Sequence, residues 1–520
     1  MPILGKLIKR SIQIGEKIDN TFDKVPAIQH QRRTLRRLVR RAQHTAFGKY
    51  YNFKTVLRSD NIIEAFQQEV PLFDYDTMYE KWWHMSLNNV DNVSWRGRVK
   101  YFALSSGTSG APSKHIPITE DMTKAMRKAG LKTFLALSNF DVSPDLLTKE
   151  MMMLGGTSSL QDQGGYYAGD LSGINASKPP YWLRPYYKPG TRISRIDNWD
   201  ARIAAIIEKA PSWDIGYIVG IPSWLQLMME RIIEAHNLDT IHDIWPNLQV
   251  CVHGGVHFEP YKKGFERLLA HPLIYMDTYL ASEGYIAFQE RPQTKAMKML
   301  LHNGIFFEFV PFRDEYFDED GNLIGHPPTL SIDQVEEGEN YALLLSTCAG
   351  AWRYLIGDTV KFTDLERWEI VITGRTKHYL SICGEHLSID NMNQAVQSVE
   401  QELNMSIPEF TVAAVEADSF FAHQWFIGSP SPEAFDANEV ARLLDEKLRE
   451  VNADYHTERE SVLRDIRVHI LPVETFYAWH RQHGKMGGQN KFPRVLKGKH
   501  LDTWLSFLRE QGQSLTDIQL

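Results

Sequence analysis

The amino-acid sequence predicts an α/β protein with a large core and more than one domain. Its 520 residues are enough to bury a sizeable apolar interior, and a hydrophobic share of 43% beside 23% charged residues is typical of globular proteins. Segments with helical apolar spacing alternate along the chain with short, almost continuous apolar runs. That alternation is the pattern of helices packed on a buried, largely parallel sheet.

The helical and strand-like segments follow one another closely up to residue 350. Apolar spacing predicts helices over residues 119–137, 201–210 and 221–236. A buried strand is predicted at 101–104, and buried parallel strands are predicted at 248–252 and 341–345. An early helix carries six arginines, but an apolar stripe runs beside them, so we interpret the arginines as its solvated face rather than as a nucleic-acid or membrane site; the stripe is Leu35, Leu38, Val39 and Ala42.

The character of the chain changes after residue 369. Strands at 370–372 and 379–382 flank the polar turn Gly-Arg-Thr-Lys at 374–377. Beyond it, two predicted helices, 390–403 and 435–451, alternate with predicted strands at 410–417 and 466–471. This alternation is typical of a small α+β unit. We therefore place a domain boundary near Gly374.

Charge and cysteine content indicate which kinds of ligand the protein does not bind. A net charge of −8 argues against a nucleic-acid binder that depends on general phosphate attraction. Cys251, Cys348 and Cys383 are odd in number and widely spaced, which indicates neither a disulfide framework nor a thiolate metal site. The sequence has neither a secretory signal pattern nor a long apolar segment. We expect a cytoplasmic protein that binds small molecules and neither nucleic acid nor membrane.

The loop after the first predicted strand carries the strongest functional signal. Residues 104–114 read Leu-Ser-Ser-Gly-Thr-Ser-Gly-Ala-Pro-Ser-Lys. Glycines let backbone N–H groups converge on an anion, hydroxyls add donors and Lys114 supplies a point charge, so this segment can hold polyphosphate. It lacks the Gly-Lys-Ser/Thr ending of the ordinary nucleotide loop, and a Ser/Gly-rich surface loop has the same composition. We expect a strand, the loop and then a helix entered through Pro117.

Four further motifs follow in order along the chain. Residues 252–256, Val-His-Gly-Gly-Val, follow a buried strand, and their glycines can bring the backbone against a flat ring such as adenine. Residues 279–283, Tyr-Leu-Ala-Ser-Glu, place an aromatic ring before a carboxylate suited to Mg²⁺. Residues 352–358, Trp-Arg-Tyr-Leu-Ile-Gly-Asp, end in a carboxylate that can accept both ribose hydroxyls. Residues 487–495 form a glycine-bearing loop around Lys491. Each motif alone also fits core packing, a turn cap or a solvated charge.

Taken together and in this order, the five motifs resemble those of the adenylate-forming superfamily, and within it the auxin-responsive Gretchen Hagen family of acyl acid amido synthetases. The Ser-Ser-Gly-Thr-Ser opening, the Tyr-x-x-Ser-Glu block and the Arg-Tyr-x-x-Gly-Asp block match that family's three nucleotide motifs. Plant members continue the first motif with a glycine and a glutamate before the lysine, whereas this chain reads Gly-Ala-Pro-Ser-Lys at 110–114. We interpret it as a bacterial-type member and assume no hormone substrate.

The resemblance implies the adenylate-forming ligase fold. A large N-terminal α/β domain that binds nucleotide and acyl group would span residues 1–373, followed by a hinge at 374–378 and a small mobile α+β domain at 379–520. The implied enzyme uses ATP and Mg²⁺ to activate a carboxylic acid as acyl-AMP and transfers the acyl group to the amine of an amino acid. An acyl-CoA ligase that uses the same adenylate and a catalytically silent binding homologue are the alternatives.

The same resemblance implies roles for individual residues. The first motif would hold the β and γ phosphates, Tyr279 or the backbone near Val256 would pack on adenine, and Glu283 would bind Mg²⁺. Asp358 would hold the ribose. The residues expected to bind nucleotide are Ser105, Ser106, Gly107, Thr108, Ser109, Lys114, Val256, Tyr279, Ser282, Glu283 and Asp358. Those expected to act in catalysis are Arg375 on the ribose or phosphate side, Lys377 at the swivel position and Lys491 at the α-phosphate.

Other sequence patterns give weaker indications of function. Two pairs of histidines have zinc-like spacing, but glycines interrupt the first pair and the second has no third ligand nearby, so we expect no metal held by protein ligands alone; the pairs are His253 with His257 and His480 with His483. No Gly-x-Ser-x-Gly elbow indicates a serine hydrolase. The aromatic segment from Tyr166 to Tyr187 can line an acyl pocket or pack a surface lobe, and we favour packing.

Overall fold

The computed structural model describes residues 25–105, 114–176, 181–255, 258–318, 321–376, 380, 387, 389–417, 420–452, 455–456, 459, 463–482 and 492–512. The helices are α1 Ala27–Ala42, α2 Ala46–Tyr50, α3 Phe53–Arg58, α4 Ile62–Glu69, α5 Tyr75–Met78, α6 His84–Leu87, α7 Glu120–Leu135, α8 Leu171–Ala176, α9 Thr191–Ser194, α10 Trp199–Lys209, α11 Pro222–His236, α12 Glu259–Arg267, α13 Ile389–Leu403, α14 Ala437–Val451, α15 Val473–Gln482 and α16 Lys499–Glu510.

The strands are β1 Tyr101–Ser105, β2 Lys114–Ile118, β3 Glu150–Leu154, β4 Gln161–Asp162, β5 Tyr167–Gly169, β6 Tyr187–Lys188, β7 Ile215–Gly220, β8 Val250–Gly254, β9 Ile274–Ala281, β10 Gly284–Phe288, β11 Met297–Met299, β12 Ile305–Pro311, β13 Asn340–Thr347, β14 Tyr354–Asp364, β15 Glu369–Arg375, β16 Glu409–Ala417, β17 Phe420–Ser429 and β18 Leu463–Pro472. None of the described helices is long and apolar enough to cross a membrane.

A large mixed sheet forms the centre of the protein. Its strand order is β12-β13-β14-β15-β11-β10-β9-β8-β7-β3-β6. The strands from β6 to β9 run parallel to one another, and those from β9 to β12 are antiparallel. A smaller sheet, β2-β1-β5-β4, carries the hairpin that flanks the first motif.

The short strand β11 divides the large sheet. It pairs with β10 at only two positions and with β15 at only two, and all four pairs lie near one end of those strands. The strands on its two sides are therefore joined by few backbone pairs.

The N-terminal helices cover the antiparallel half of the sheet. The predicted stripe of α1 is confirmed, because Leu35, Leu38, Val39 and Ala42 are at most 1% exposed. Gln31, also on α1, donates its amide to the carbonyl oxygen of Leu301 at 2.6 Å and accepts the backbone N–H of Phe307 at 2.7 Å. This buried amide fixes the position of the helix on the sheet. The parallel half is covered by α10, α11 and α12, whose apolar residues form a second core.

The C-terminal part has a separate three-stranded sheet, β16-β17-β18. Successive side chains of a strand point to opposite faces. Accordingly, Trp425 packs in the core that includes residues of α13 and α14, while its neighbour Phe426 packs in the core that includes residues of α15 and α16. Both faces of this sheet are therefore covered by helices.

Most predicted elements are confirmed, with two corrections. The run 341–345 is buried on both faces, but its strand β13 is antiparallel to β12 and to β14, because continuous apolar sequence reports burial and not strand direction. Pro117 lies in β2 and does not open a helix: the first motif is followed by this strand, and α7 begins after Thr119, whose hydroxyl accepts the N–H of Met122 at 3.1 Å.

The sequence reasoning missed β17, α15 and α16. The predicted strand 379–382 lies outside the described residues except for Leu380, which forms an isolated bridge with Leu387. Gly374 and Arg375 belong to β15. The domain limits given above stay a prediction.

Candidate active site

Tyr279, Asp358 and Arg375 form a connected group that we call the Asp358 cluster. The Tyr279 hydroxyl donates to Asp358 Oδ2 at 2.6 Å, and Arg375 Nε lies 2.8 Å from Asp358 Oδ1. Tyr279 is buried, whereas the Arg375 side chain is 41% exposed and that of Asp358 is 15% exposed. Burial, and then the neighbouring Asp358 carboxylate, raise the pKa of Tyr279 well above its usual value, so this hydroxyl keeps its proton.

The strands explain how this cluster forms. Asp358 on β14 is the register partner of Arg375 on β15, so these two side chains are neighbours across one antiparallel ladder. Tyr279 is on β9, four strands away in sheet order. The 2.6 Å bond from Tyr279 to Asp358 therefore joins strands that are not neighbours in the sheet. Within the described residues, Arg375 has one further polar contact, to the carbonyl oxygen of Ile356 at 3.4 Å.

Glu283 lies in the turn beside this cluster. Ala281 and Gly284 pair with each other, so Ser282 and Glu283 form a two-residue hairpin turn between β9 and β10, and both are buried. A Cβ at Gly284 would lie 2.6 Å from Ile305 Cδ1, so the turn is packed closely against β12. Tyr354 lies buried near Glu283: burial, and then the charge of Glu283, raise the pKa of its hydroxyl well above its usual value.

The electrostatics of Glu283 connect it to the other predicted residues. Burial raises its pKa, and the charge of Asp358 raises it further, while Lys114 and Arg375 lower it. A cation placed beside Glu283 would favour the ionised carboxylate. The turn therefore suits a site that is completed by a bound cation.

Lys114 brings the first motif to this group. It pairs with Ser105 at the point where the β1–β2 hairpin opens into residues 106–113. Its Nζ lies 5.3 Å from the centre of the Tyr75 ring, and the Tyr75 hydroxyl accepts the N–H of His115 at 2.9 Å. Since Lys114 also acts on the pKa of Glu283, one end of the motif lies beside the turn that carries Glu283.

The motif at 252–256 ends a neighbouring parallel strand. Gly254 closes β8, and a Cβ at this position would lie 2.4 Å from the backbone oxygen of Thr278 on β9, so only glycine fits. The Thr278 hydroxyl donates to the backbone oxygen of His253 at 2.8 Å. The glycine thus joins the end of β8 closely to the strand that carries Tyr279.

Several predicted residues lie outside the described part of the chain. They are Ser106, Gly107, Thr108, Ser109, Val256, Lys377 and Lys491. Ser105 is described only through its backbone. Their roles stay predictions. The structure brings together Tyr279, Ser282, Glu283, Asp358 and Arg375, with Lys114 beside them.

Sequence reasoning missed two tyrosines of this site. Tyr354 lies inside the quoted motif 352–358, which could have identified it. Tyr75 lies 40 residues before His115, outside every motif, and has no sequence signal. The arginine of the same motif is structural instead: Arg353 is buried, pairs with Glu308 at 3.0 Å and donates to the backbone oxygens of Gln67 and Val70.

No group of three or more histidine, cysteine, aspartate or glutamate residues that could hold a metal ion occurs in the described ranges. His253 is buried, packs against Phe258 with ring centres 4.4 Å apart and has Nδ1 3.5 Å from Asp277 Oδ1. Its predicted partner His257 is outside the described residues.

Comparison with protein families gives three matches in chain order. Residues 22–207 match the GH3 family N-terminal domain, residues 298–375 match the GH3 family central domain and residues 390–500 match the GH3 family C-terminal domain. Together these matches span more than half of the chain.

Individual relatives are similar over shorter stretches. A probable indole-3-acetic acid-amido synthetase of Oryza sativa subsp. japonica is 32% identical over 153 residues, which are 28% of this chain and 30% of that protein. A jasmonoyl–L-amino acid synthetase of Nicotiana attenuata is 25% identical over 280 residues, or 50% of this chain and 46% of the relative. The matches thus span less than half the length of these relatives.

Solved structures match over almost the whole chain. The GH3.15 acyl acid amido synthetase gives a TM-score of 0.76 at 15% identity over 96% of both chains. A 2-hydroxyisobutyryl-CoA ligase in the postadenylation state, in complex with 2-HIB-AMP, gives a TM-score of 0.58 at 12% identity over 94% of both chains. These likenesses confirm the adenylate-forming ligase fold. With this fold and three domain matches in the same order along the sequence, the chain belongs to the GH3 family.

Proposed function

We propose that this protein is an ATP-dependent acyl acid amido synthetase, which activates a carboxylic acid as acyl-AMP and transfers the acyl group to the amine of an amino acid. One observation carries the proposal: residues from three distant motifs converge, with Glu283 next to the Asp358 cluster and Lys114 beside Glu283. Family membership supports the reaction type, and it leaves the identity of the acid open.

The Asp358 cluster suits a ribose. One oxygen of the Asp358 carboxylate accepts a hydrogen bond from Tyr279, the other lies 2.8 Å from Arg375 Nε in an ion pair, and lone pairs remain on both oxygens for the ribose hydroxyls. The hydrogen bond and the ion pair together hold the carboxylate in one orientation. Because the Arg375 side chain is 41% exposed, its guanidinium can also reach a phosphate of the same nucleotide.

Mg²⁺ fits Glu283. In nucleotide sites this ion takes one or two carboxylates and completes its shell with phosphate oxygens and water, so a single protein carboxylate is sufficient. Glu283 provides that carboxylate in the β9–β10 turn. When bound, the ion would neutralise negative charge on the phosphates.

The first half-reaction would use these charges directly. An oxygen of the substrate carboxylate forms a bond to the α-phosphorus of ATP, while the bond from that phosphorus to the pyrophosphate oxygen breaks. Negative charge then grows on the leaving pyrophosphate, and in this proposal Lys114 and the donors of the first motif offset it. We propose that Ser105, Ser106, Gly107, Thr108 and Ser109 grip the β and γ phosphates, that Val256 lies along adenine, and that Lys491 contacts the α-phosphate after a swivel at Lys377.

The second half-reaction forms the amide. The amine nitrogen bonds to the acyl carbon, the bond from that carbon to the AMP oxygen breaks, and the nitrogen loses a proton. The chain's own part in this step is to hold AMP through Asp358 and Arg375 while the acceptor binds. Retention of AMP keeps the leaving group in place during attack.

The proposal is tested by exchange of labelled pyrophosphate into ATP, in a screen of carboxylic acids. We expect at least one acid to give exchange, and Asp358→Asn to abolish most of it. Absence of exchange with every acid would indicate a catalytically silent homologue. With the active acid, mass spectrometry of reactions that contain either mixed amino acids or coenzyme A separates the amide-forming enzyme from the acyl-CoA ligase.

A further inference from the structure

A buried arginine outside the Asp358 cluster has no hydrogen-bond partner for part of its guanidinium. Arg202, on α10, is 3% exposed. Within the described part of the chain, its Nε and Nη1 atoms are buried and make no hydrogen bond. Arginine is almost never fully buried unless it is paired, since removing a charged group from water costs several kcal/mol without compensation. An unpaired arginine at this position therefore points to a ligand.

Arg202 lines a small pocket at the end of β3. The pocket is small, with room for about one water molecule, and it opens to solvent. Its walls include Gly155 and Gly156, which follow β3, together with Ser172 and Tyr187. The glycines are required, because a Cβ at Gly155 would lie 2.4 Å from Ser172 Oγ and one at Gly156 would lie 2.7 Å from the Asp170 side chain. The wall is thus built closely around the guanidinium.

The pocket lies on the edge of the sheet where the active site is found. Strands β3, β7, β8 and β9 are parallel, so their carboxyl ends share one edge, and ligands of α/β sheets bind at that edge. Three strand spacings separate β3 from β9, which carries Tyr279, and this amounts to about 14 Å. The pocket therefore lies along the same edge of the sheet as the Asp358 cluster but beside a different strand.

The surroundings of Arg202 favour a ligand with a single negative charge. Burial lowers the pKa of Arg202, and the charges of Asp170 and Asp197 oppose that effect. Both carboxylates have other partners: Asp170 Oδ1 accepts the N–H and hydroxyl of Ser172, and Asp197 Oδ1 accepts the hydroxyl of Thr157. Their nearby charge offsets part of the arginine's positive charge, which favours a carboxylate over a doubly charged phosphate.

Two tyrosines of the aromatic segment 166–187 pack against other rings, and a third lines this pocket. Tyr166 packs edge-on against Phe102 with ring centres 5.0 Å apart, and Tyr167 stacks on Tyr101 at 5.7 Å. Tyr187, at the other end of the segment, lines the pocket. On the opposite side, the Arg202 guanidinium lies 4.9 Å from the centre of the Trp199 ring, which holds it in position.

We propose that Arg202 binds a carboxylate of a substrate that does not itself react: either the second carboxylate of a dicarboxylic acyl acid or the α-carboxylate of the acceptor amino acid. The inference rests on the proposed amido synthetase activity and names its substrate class. A planar guanidinium with free N–H groups pairs with a carboxylate through two parallel hydrogen bonds. A bound substrate would provide the hydrogen-bond partners that the protein does not provide.

The first experiment compares substrates that differ by one carboxylate. For the acyl arm, pyrophosphate exchange is measured with matched pairs such as succinate and butyrate, or adipate and hexanoate. For the acceptor arm, amide formation is measured with an amino acid and with its decarboxylated amine, such as phenylalanine and phenethylamine. Arg202→Met is expected to raise KM by about 10-fold or more for the carboxylate-bearing member of one arm and by less than about twofold for its partner. The arm that responds identifies the source of the carboxylate.

The controls separate binding from folding. Lys209→Met removes a cation from an exposed position on the same helix and should change neither arm. Arg202→Lys keeps the charge but not the paired donors, so it should give an intermediate KM, and it carries the test if the methionine variant does not fold. Equal effects of Arg202→Met on both members of each pair, or no effect on either, would overturn the proposal.

A binding measurement makes the result independent of turnover. Succinate and phenylalanine are added to the full-length protein without ATP, with butyrate, phenethylamine and sodium chloride as references, and the unfolding temperature is followed. We expect either succinate or phenylalanine to raise the unfolding temperature of the wild-type protein and not that of Arg202→Met. If no acid supports exchange, the proposed activity fails while this shift still tests the pocket. Identical shifts in wild type and variant would overturn the carboxylate site.

Discussion

Two clusters of the same composition lie in different parts of this molecule. The Asp358 cluster joins a tyrosine, a carboxylate and an arginine, and so does a second group, formed by Tyr261, Glu409 and Arg494, which we call the Glu409 cluster. In the second, the tyrosine hydroxyl donates to Glu409 Oε1 at 3.0 Å and Arg494 Nη1 lies 2.9 Å from Glu409 Oε2. The geometry of the two is nearly the same.

The clusters differ in what surrounds the arginine. Arg494 is 15% exposed, also donates to the backbone oxygen of Phe410 at 2.8 Å, and stacks on the Phe410 ring at 4.3 Å. The Arg375 side chain is 41% exposed and has only the long 3.4 Å contact besides its carboxylate within the described residues. The Glu409 cluster thus has its donors satisfied by the protein and connects α12 to β16, whereas the Asp358 cluster leaves donors for a ligand.

The comparison teaches that residue type does not distinguish a ligand site from a structural contact. Hydrogen-bonding capacity that the protein leaves unused does distinguish them. The same criterion selected Arg202, whose guanidinium is buried but incompletely paired, and it excludes Arg353, whose guanidinium is paired on several sides.

The largest expected difference between the clusters is in activity. We predict that Asp358→Asn lowers kcat/KM of pyrophosphate exchange by about 100- to 1000-fold, because a neutral amide cannot replace the carboxylate that accepts the ribose hydroxyls and orients Arg375. Glu409→Gln, the matched change in the other cluster, should alter it by less than about threefold. Similar losses in both variants would show that the clusters have the same role.

Stability should respond in the opposite order. Arg494→Met leaves Glu409 buried without its ion pair, and we expect it to lower the free energy of unfolding by about 3 kcal/mol. Arg375→Met removes a more exposed partner and should cost less than about 1 kcal/mol. Urea denaturation followed by tryptophan fluorescence measures both. A larger cost for Arg375→Met would contradict the assignment of the Glu409 cluster as the structural one.

The stability of the part of the molecule that contains the Glu409 cluster should also depend on pH. Burial raises the pKa of Glu400 to about 8, although the N–H of Ile407 and the charge of Lys263 lower it in part. Lys263 on α12 also donates to the backbone oxygen of Glu400 at 2.8 Å. The folded protein therefore binds this proton more tightly than the unfolded chain does. Stability conferred by the protonated carboxyl is present at low pH and is lost as pH rises toward 8.

Between pH 6 and pH 8 this loss amounts to about 2 kcal/mol in the free energy of unfolding. Glu400→Gln is neutral at every pH, so it should flatten the curve over that interval. Denaturant titrations of wild type and variant at several pH values provide the measurement. Parallel curves for the two proteins would mean that Glu400 is not the titrating group.

The smallest predicted effect concerns a single hydroxyl. Tyr279→Phe removes one donor to Asp358 but leaves Arg375 in place, so we expect KM for ATP to rise by about 10-fold in the exchange reaction. Tyr261→Phe removes the corresponding donor from the Glu409 cluster and should leave KM for ATP unchanged. If Tyr279→Phe also had no effect, its hydroxyl would have no part in orienting Asp358.

Parts of this structure were predictable from local sequence. The period of apolar residues located α11 to within one residue of its start, and the double-sided burial of β13 follows from its continuous apolar run. The motifs identified Tyr279, Glu283 and Asp358 as candidate nucleotide- and Mg²⁺-binding residues. Each of these inferences uses only neighbours in the chain.

Other features depend on pairing between distant segments. The sequence could not show that β13 is antiparallel, that a strand separates the first motif from α7, or that Tyr75 lies under Lys114. The bond from Tyr279 to Asp358 joins residues 79 positions apart. It connects two strands that are not neighbours in the sheet order.

The chain alone therefore determined many of the helices and strands, which apolar segments are buried, and the family of chemistry, because periodicity and motif composition are local properties. The tertiary structure decided which carboxylates keep hydrogen-bonding capacity for a ligand and which are saturated by the protein. That distinction depends on exposure and partner geometry. Both arise only when strands far apart in sequence pair and close the space around each side chain.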